Sequence, residues 1–266
     1  MKYKLIASDI DGTLLRTDKT ISPRTLNAIR NAMDKGAVFA VSSGRAVHFC
    51  RLFEELTGLK DVPFILYNGA RILTGPEHTV TFRQELAPSV AMWLAKAGIE
   101  AGTTVIVWSD DTLYVNELNE RTERYKTLSL VPPKVFTDPE EVTRNGASKV
   151  LWFDEIDRAS YLKDILEASP IRDKINYFTS DPRFMEIVDA SCSKALALEK
   201  LCKMYGIAQE ETIAFGDGYN DLPMIEWAGT GVAMANAPEE IKNKADLVTL
   251  SNDEDGVAVI LERYFQ

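Results

Sequence analysis

Cysteine is scarce in this chain, with only Cys50, Cys192 and Cys202 among 266 residues. An odd set without a C-x-x-C spacing excludes a disulfide framework and gives no sign of a structural zinc site. Histidine is scarcer: His48 and His78 are the only two, neither has a metal-ligand spacing, and both read as surface or domain-junction packing. Positive charge is in deficit, 30 Lys and Arg against 40 Asp and Glu for a net charge of −10. That balance argues against nucleic acid as a partner, because phosphate backbones are gripped by clustered Lys and Arg. An anionic substrate would have to meet a local positive field. No apolar run approaches the roughly 18 residues of a membrane span, and Leu5-Ile6-Ala7 before Asp9 is too short for a signal peptide. The expectation is a cytoplasmic protein with no membrane, nucleic-acid or obligate protein partner evident.

What is present is an ordinary globular composition, 45% hydrophobic and 26% charged, in a chain longer than the usual domain of about 100 to 200 residues. Leu5 to Ser8 reads as a buried strand that turns at Gly12. Ser22 as N-cap, Pro23 in the first turn, the spacing of Leu26, Ile29, Ala32 and Met33, and Gly36 as stop predict a helix. Ala37 to Val41 and Phe64 to Tyr67 read as further strands, the first followed by a helix to Leu56 and the second closed by Asn68-Gly69. This alternation implies right-handed parallel crossovers and a doubly wound α/β sheet. From about Thr79 to Met185 the texture changes to strand-like runs at 103–108, 113–115, 147–152 and 175–179 with helical stretches between them, which reads as an α+β insertion whose core holds Trp93, Trp108 and Trp152. The α/β rhythm returns with a helix from Lys194 to Tyr205 capped by Ser193, a strand from Thr212 to Phe215, a helix from Asp221, a strand from Gly231 to Met234 and a last helix from Asp255 to Tyr264.

Ligand sites in open parallel sheets lie at the carboxyl ends of strands. Asp9 and Asp11 follow the first predicted strand, Ser43 the second, and Asp217 and Asp221 the strand at 212–215. Carboxylates gathered there repel one another unless a cation sits among them, and oxygen ligands without His or Cys select a hard ion such as Mg²⁺. Magnesium in turn points to phosphate. A carboxylate can attack phosphorus while a neighbouring carboxyl group protonates the leaving oxygen, and Asp9 and Asp11 could divide those roles. Lys194, at a helix start where the backbone also favours an anion, is a candidate for holding the phosphoryl group.

Asp9-Ile10-Asp11-Gly12-Thr13, Ser43-Gly44-Arg45, Ser193-Lys194 and Gly216-Asp217-Gly218-Tyr219-Asn220-Asp221 resemble the four ordered motifs of the haloacid dehalogenase superfamily. Asn68-Gly69-Ala70, Phe184-Met185-Glu186-Ile187, the segment 232–237 and the segment 252–258 resemble its Cof-type subfamily of sugar-phosphatase-like hydrolases with a type IIB cap. The resemblance implies a Rossmann-like catalytic core at 1–82 and 187–266 and an inserted α+β cap at 83–186 that sets substrate specificity. It implies a Mg²⁺-dependent phosphatase of small phosphorylated metabolites, of the sugar-phosphate kind, working through an aspartyl phosphate on Asp9. Asp11 would be the general acid and base, and Asp9, Asp11 through its carbonyl, Asp217 and Asp221 would hold Mg²⁺. Ser43, Gly44, Lys194 and Asn220 would bind phosphate, with Arg45 and Asn68 within reach of the leaving group. The chain departs from the family pattern at Ser191-Cys192 and Ala195, where Gly-Val and Gly are usual. The competing readings are a phosphotransferase or phosphomutase using the same aspartyl phosphate, and a non-catalytic sensor of phosphorylated ligands.

Overall fold

A computed structural model describes residues 2–266. They divide into two contact-dense units, one of residues up to Gly44, Phe49–Phe82 and Ser193–Gln266, the other of Arg45–His48 and Arg83–Cys192.

The first unit is built on β1 (Leu5–Ser8), β2 (Val38–Ser42), β3 (Phe64–Leu66), β4 (Arg71–Thr74) and β5 (Thr79–Arg83), the second on β6 (Thr104–Ser109), β7 (Thr112–Val115), β8 (Lys134–Val135), β9 (Lys149–Phe153), β10 (Ile175–Phe178) and β11 (Phe184–Asp189), and β12 (Thr212–Gly216), β13 (Thr230–Ala233) and β14 (Leu247–Val248) return to the first. The core sheet has the order β14-β13-β12-β1-β2-β3-β4-β5. It is parallel from β14 to β3, and β4 pairs antiparallel with β3. The short apolar run Leu5–Ser8 is buried along its whole length because it is the central strand, paired with β2 on one side and β12 on the other. Its side chains alternate between the two faces of the sheet. Leu5 and Ala7 join Ala40, Ile65 and Ala214 against Leu198, Leu201 and Met224 from the helices Lys194–Tyr205 and Leu222–Trp227. Helix Pro23–Asp34 has Ser22 as N-cap, with the Ser22 hydroxyl accepting from the Thr25 N–H, and packs against helix Gly256–Tyr264. Later strands are added outward from β1 on both sides, so the order reverses at β1, the place where doubly wound sheets open a crevice for ligands.

The second unit is a mixed sheet of order β10-β11-β9-β6-β7-β8, antiparallel except between β7 and β8. Val105, Val107, Val150, Trp152, Met185 and Ile187 form one buried face with Val90, Leu94, Leu162 and Leu166 from helices Pro88–Glu100 and Ala159–Glu167. Trp152 and Trp108 are buried, and Trp93 is half-buried against the same cluster. The insertion is thus α+β. This unit runs to Cys192, past the boundary expected at 186, because β11 pairs with both β9 and β10 and so belongs to this sheet. The sequence pattern leaves β11 unassigned because Glu186, a charged residue, interrupts an otherwise apolar run. It misses β5 because that strand is largely exposed and lacks a buried stripe, and it also misses β4, a short buried strand that opens on the charged Arg71. Among the described residues no helix is long and apolar enough to cross a membrane, and the three cysteines are buried and form no disulfide.

Candidate active site

Asp9 follows β1 directly, and its N–H donates to the Phe215 carbonyl at 3.0 Å, which prolongs the β1–β12 ladder by one bond. That bond fixes the backbone at the carboxyl end of the central strand, and the residue is 6% exposed. The chain then turns at Gly12, where φ is +81° and a Cβ would stand 2.2 Å from Asp217 Oδ2. Only glycine permits both the positive φ and this approach. Two loops of one sheet edge, those after β1 and β12, are thereby brought together.

Lys194 is the first residue of the helix Lys194–Tyr205, behind the Ser193 cap whose hydroxyl accepts from the Leu196 N–H at 3.1 Å. It is completely buried. Its Nζ donates to Asp9 Oδ1 and to Asp221 Oδ1, each at 2.5 Å. Asp221 Oδ2 accepts the N–H groups of Asp217 at 3.1 Å and Gly218 at 2.9 Å, closing the glycine-rich turn after β12. Asp217 Oδ1 accepts from the Thr13 hydroxyl at 2.7 Å.

Carboxylate oxygens of Asp9, Asp217 and Asp221 lie within 4.8 Å of one another. Three carboxylates around one ammonium leave an excess of two negative charges, and the electrostatics register it. Burial, then the repulsion of Asp221, pushes Asp9 well above the carboxylate range despite the opposing Lys194 ammonium. Burial and Asp221 push Asp217 up to about 7, against the Thr13 hydrogen bond and Lys194. Burial disfavours the charged form of Lys194, but Asp221 and Asp9 outweigh it and hold its pKa above the ordinary lysine value. An oxygen-only donor set with this deficit of positive charge fits a hard divalent cation. The Asp11 carboxylate stands apart from the trio, 43% exposed and 3.4 Å from Lys19 Nζ.

Ser43 follows β2, the strand on the other side of β1. It is buried, its N–H donates to the Ile65 carbonyl at 2.8 Å, and its carbonyl accepts from the Asn68 N–H at 3.1 Å. Asn68 takes a left-handed conformation with φ 54° after Tyr67 with φ 52°. Gly69 then passes so close to the Ser193 carbonyl that a Cβ would stand 2.2 Å from its oxygen. The Asn-Gly turn therefore seats the loop after β3 on the cap of the Lys194 helix. Its side chain also meets the phosphate-site candidates, since Asn220 Nδ2 donates to Asn68 Oδ1 at 3.2 Å. Gly44 and Arg45 continue from Ser43, both half-buried, and Arg45 is grouped with the second unit.

The site thus gathers the carboxylates of Asp9, Asp217 and Asp221 within 4.8 Å of one another, with Lys194 bonded to Asp9 and Asp221 and with Asn68 and Asn220 paired, while Ser43 joins the Asn68 backbone. His78 pairs with Glu54 at 3.1 Å and packs edge-on against Phe64, and His48 is exposed. Sequence reasoning assigns no role to Thr13, Lys19 or Asn236. Thr13 and Asn236 lie inside quoted motifs, but a hydrogen bond across more than 200 residues has no local signature.

Comparison with known proteins agrees with this architecture. The family model for haloacid dehalogenase-like hydrolases matches residues 6–261. The 5-amino-6-(5-phospho-D-ribitylamino)uracil phosphatase YitU of Bacillus subtilis is 31% identical over 99% of this chain and 98% of its own length. A haloacid dehalogenase-like hydrolase from Bacteroides thetaiotaomicron superposes with a TM-score of 0.88 at 31% identity, covering 99% of this chain and 100% of that one. The subclass IIB sugar phosphatase BT4131 superposes with a TM-score of 0.83 at 25% identity over 98% of both chains. With the fold, the acidic cluster and these likenesses in agreement, the chain belongs to the haloacid dehalogenase-like hydrolases, in their Cof-type branch, and is a phosphoric monoester hydrolase.

Proposed function

We propose that this phosphatase hydrolyses small sugar or polyol phosphates with Mg²⁺ as its metal and Asp9 as its nucleophile. The observation that carries the reading is the buried Lys194 ammonium, 2.5 Å from both Asp9 and Asp221 and placed where three loops of one sheet edge meet. Asp9, Asp217 and Asp221 would hold Mg²⁺ with the Asp11 carbonyl, and the bound ion would supply positive charge to the carboxylates and to a phosphoryl group. Asp9 attacks phosphorus, the bond from phosphorus to the leaving oxygen breaks, and the Asp11 carboxyl gives that oxygen its proton. Water then attacks the aspartyl phosphate, Asp11 takes the water proton, and the bond from phosphorus to Asp9 breaks, which restores both carboxyl groups and frees phosphate. The half-exposed position of Asp11 suits a group that must exchange protons with substrate and water. Lys194, Ser43, Gly44 and Asn220 would hold the phosphoryl oxygens, with Arg45 and Asn68 toward the leaving group.

The sugar or polyol assignment is supported by the names of the relatives, one a sugar phosphatase and one a phosphatase of a phosphoribityl compound. A cytoplasmic setting is supported by three buried cysteines that form no disulfide. The test is phosphate release from a panel of phosphorylated sugars, polyols and nucleotides, with and without Mg²⁺, comparing wild type with Asp9→Asn. The expected result is Mg²⁺-dependent release strongest on sugar or polyol monoesters and abolished in the variant. Release that survives in Asp9→Asn would overturn the nucleophile, and release without divalent metal would overturn the metal site.

A further inference from the structure

The strand ends that carry Asp9 and Asp217 have a further neighbour in the same unit. β13 ends beside β12, and the Met234 N–H donates to the Gly216 carbonyl at 3.1 Å, which leads Asn236 over the edge of the sheet. Asn236 Nδ2 donates to the Gly12 carbonyl at 2.8 Å and makes a longer contact with Asp217 Oδ2 at 3.4 Å. Its Oδ1 accepts from the Asn252 N–H at 3.2 Å. The Asn252 amide in turn donates to the Leu15 carbonyl at 2.8 Å. Asp217 is therefore approached on both oxygens, by Thr13 on Oδ1 and by Asn236 on Oδ2.

An amide of this reach has two N–H donors and one acceptor on a single planar head, and here all three are engaged. Aspartate would offer no donor and would set a second carboxylate against Asp217. Alanine would leave the Gly12 carbonyl and the outer oxygen of Asp217 without this partner.

We propose that Asn236 is a positioning residue for the metal site: it fixes the Asp217 carboxylate and the Gly12 turn relative to each other, and Asn252 sets the orientation of its amide. The inference rests on the reading that Asp217 is a metal ligand. A carboxylate that is free to rotate must be ordered when the ion binds, whereas one already held by Thr13 and Asn236 is not. Partners of this kind are worth about 10–100-fold in metal affinity. Asn236 acts through Asp217 and the turn, since those contacts use its donors.

The test is direct binding of Mn²⁺ to the metal-free full-length protein, read from the electron paramagnetic resonance signal of the free ion. Wild type, Asn236→Ala, Asn236→Ser and Thr17→Ala are compared, with folding checked by circular dichroism. Thr17 bonds Asp253 through both its N–H and its hydroxyl, and Thr17→Ala removes the hydroxyl bond while keeping the N–H bond, which slackens the same loop without touching Asp217. The expected result is a dissociation constant raised about 10–100-fold in Asn236→Ala, unchanged in Thr17→Ala, and a kcat in Asn236→Ala that recovers with excess Mg²⁺. Should Asn236→Ala fail to fold, Asn236→Ser, whose shorter side chain cannot span Gly12 and Asp217, makes the same comparison. Mn²⁺ affinity within about twofold of wild type in the folded variant would overturn the proposal, as would an equal loss in Thr17→Ala. Wild type that binds no Mn²⁺ would overturn the metal reading itself, a separate and recognisable failure.

Discussion

Lys194 carries the charge balance of the site. It is the only cation in contact with Asp9 and Asp221 among the described residues, and it is fully buried. Lys194→Met should cut kcat by about 10²–10³-fold, the usual effect of removing one fixed electrostatic partner from a developing charge. Steady-state kinetics at saturating Mg²⁺ would show it, and a loss below tenfold would mean that Lys194 is structural. The cysteines are the opposite case, residues whose chemistry burial suppresses. Burial pushes the Cys50 thiol up to about 12 and the Cys202 thiol up to about 11. A thiol whose folded pKa is raised stabilises the fold fully below its ordinary value of 9.0, and that contribution is lost as pH rises through the folded value. The expected outcome is that neither thiol reacts with a disulfide reagent at pH 8 until the protein is unfolded. Rapid labelling of the native protein would contradict it.

At the scale of elements, β9 and β11 share a buried ion pair. Lys149 Nζ lies 2.6 Å from Glu186 Oε2, with both side chains almost fully buried, and the Ser180 hydroxyl donates to the other Glu186 oxygen. Burial disfavours the Lys149 charge, but Glu186 and Tyr125 outweigh it and raise its pKa. Breaking such a pair from one side leaves an uncompensated charge, so Glu186→Gln should destabilise the second unit by about 3–5 kcal/mol. Urea unfolding followed by tryptophan fluorescence would measure it, since Trp108 and Trp152 lie in this sheet. The same pair explains why β11 is hard to see in sequence: a glutamate inside a strand reads as a break until its lysine partner on the neighbouring strand is known. Strands whose burial comes from apolar runs, such as β1, β6 and β12, are visible without their neighbours.

At the scale of the molecule, the carboxylates that repel one another in the folded state are a reason for metal to stabilise it. An ion that binds the native state and not the unfolded chain adds about 2.7 kcal/mol at a concentration one hundred times its dissociation constant. For a domain of this size that corresponds to a rise of roughly 5–10 °C in melting temperature. Mg²⁺ should give such a rise in wild type and little in Asp217→Ala, as read by differential scanning calorimetry. An equal rise in both would place the ion elsewhere.

The sequence by itself determined the alternation of helices and strands, the change of texture in the insertion, and the four motifs, three at strand ends and one at a helix start. Each of these is a local property, set by the periodicity of apolar residues, by caps such as Ser22 and Ser193, and by glycine and proline. Only the tertiary structure decided the order of strands about β1, the membership of β11 in the second sheet, the half-exposed place of the Asp11 carboxylate beside Lys19, and the hold of Thr13 and Asn236 on Asp217. These depend on contacts between residues far apart in the chain, whose geometry is fixed by packing and pairing and leaves no periodic trace along it.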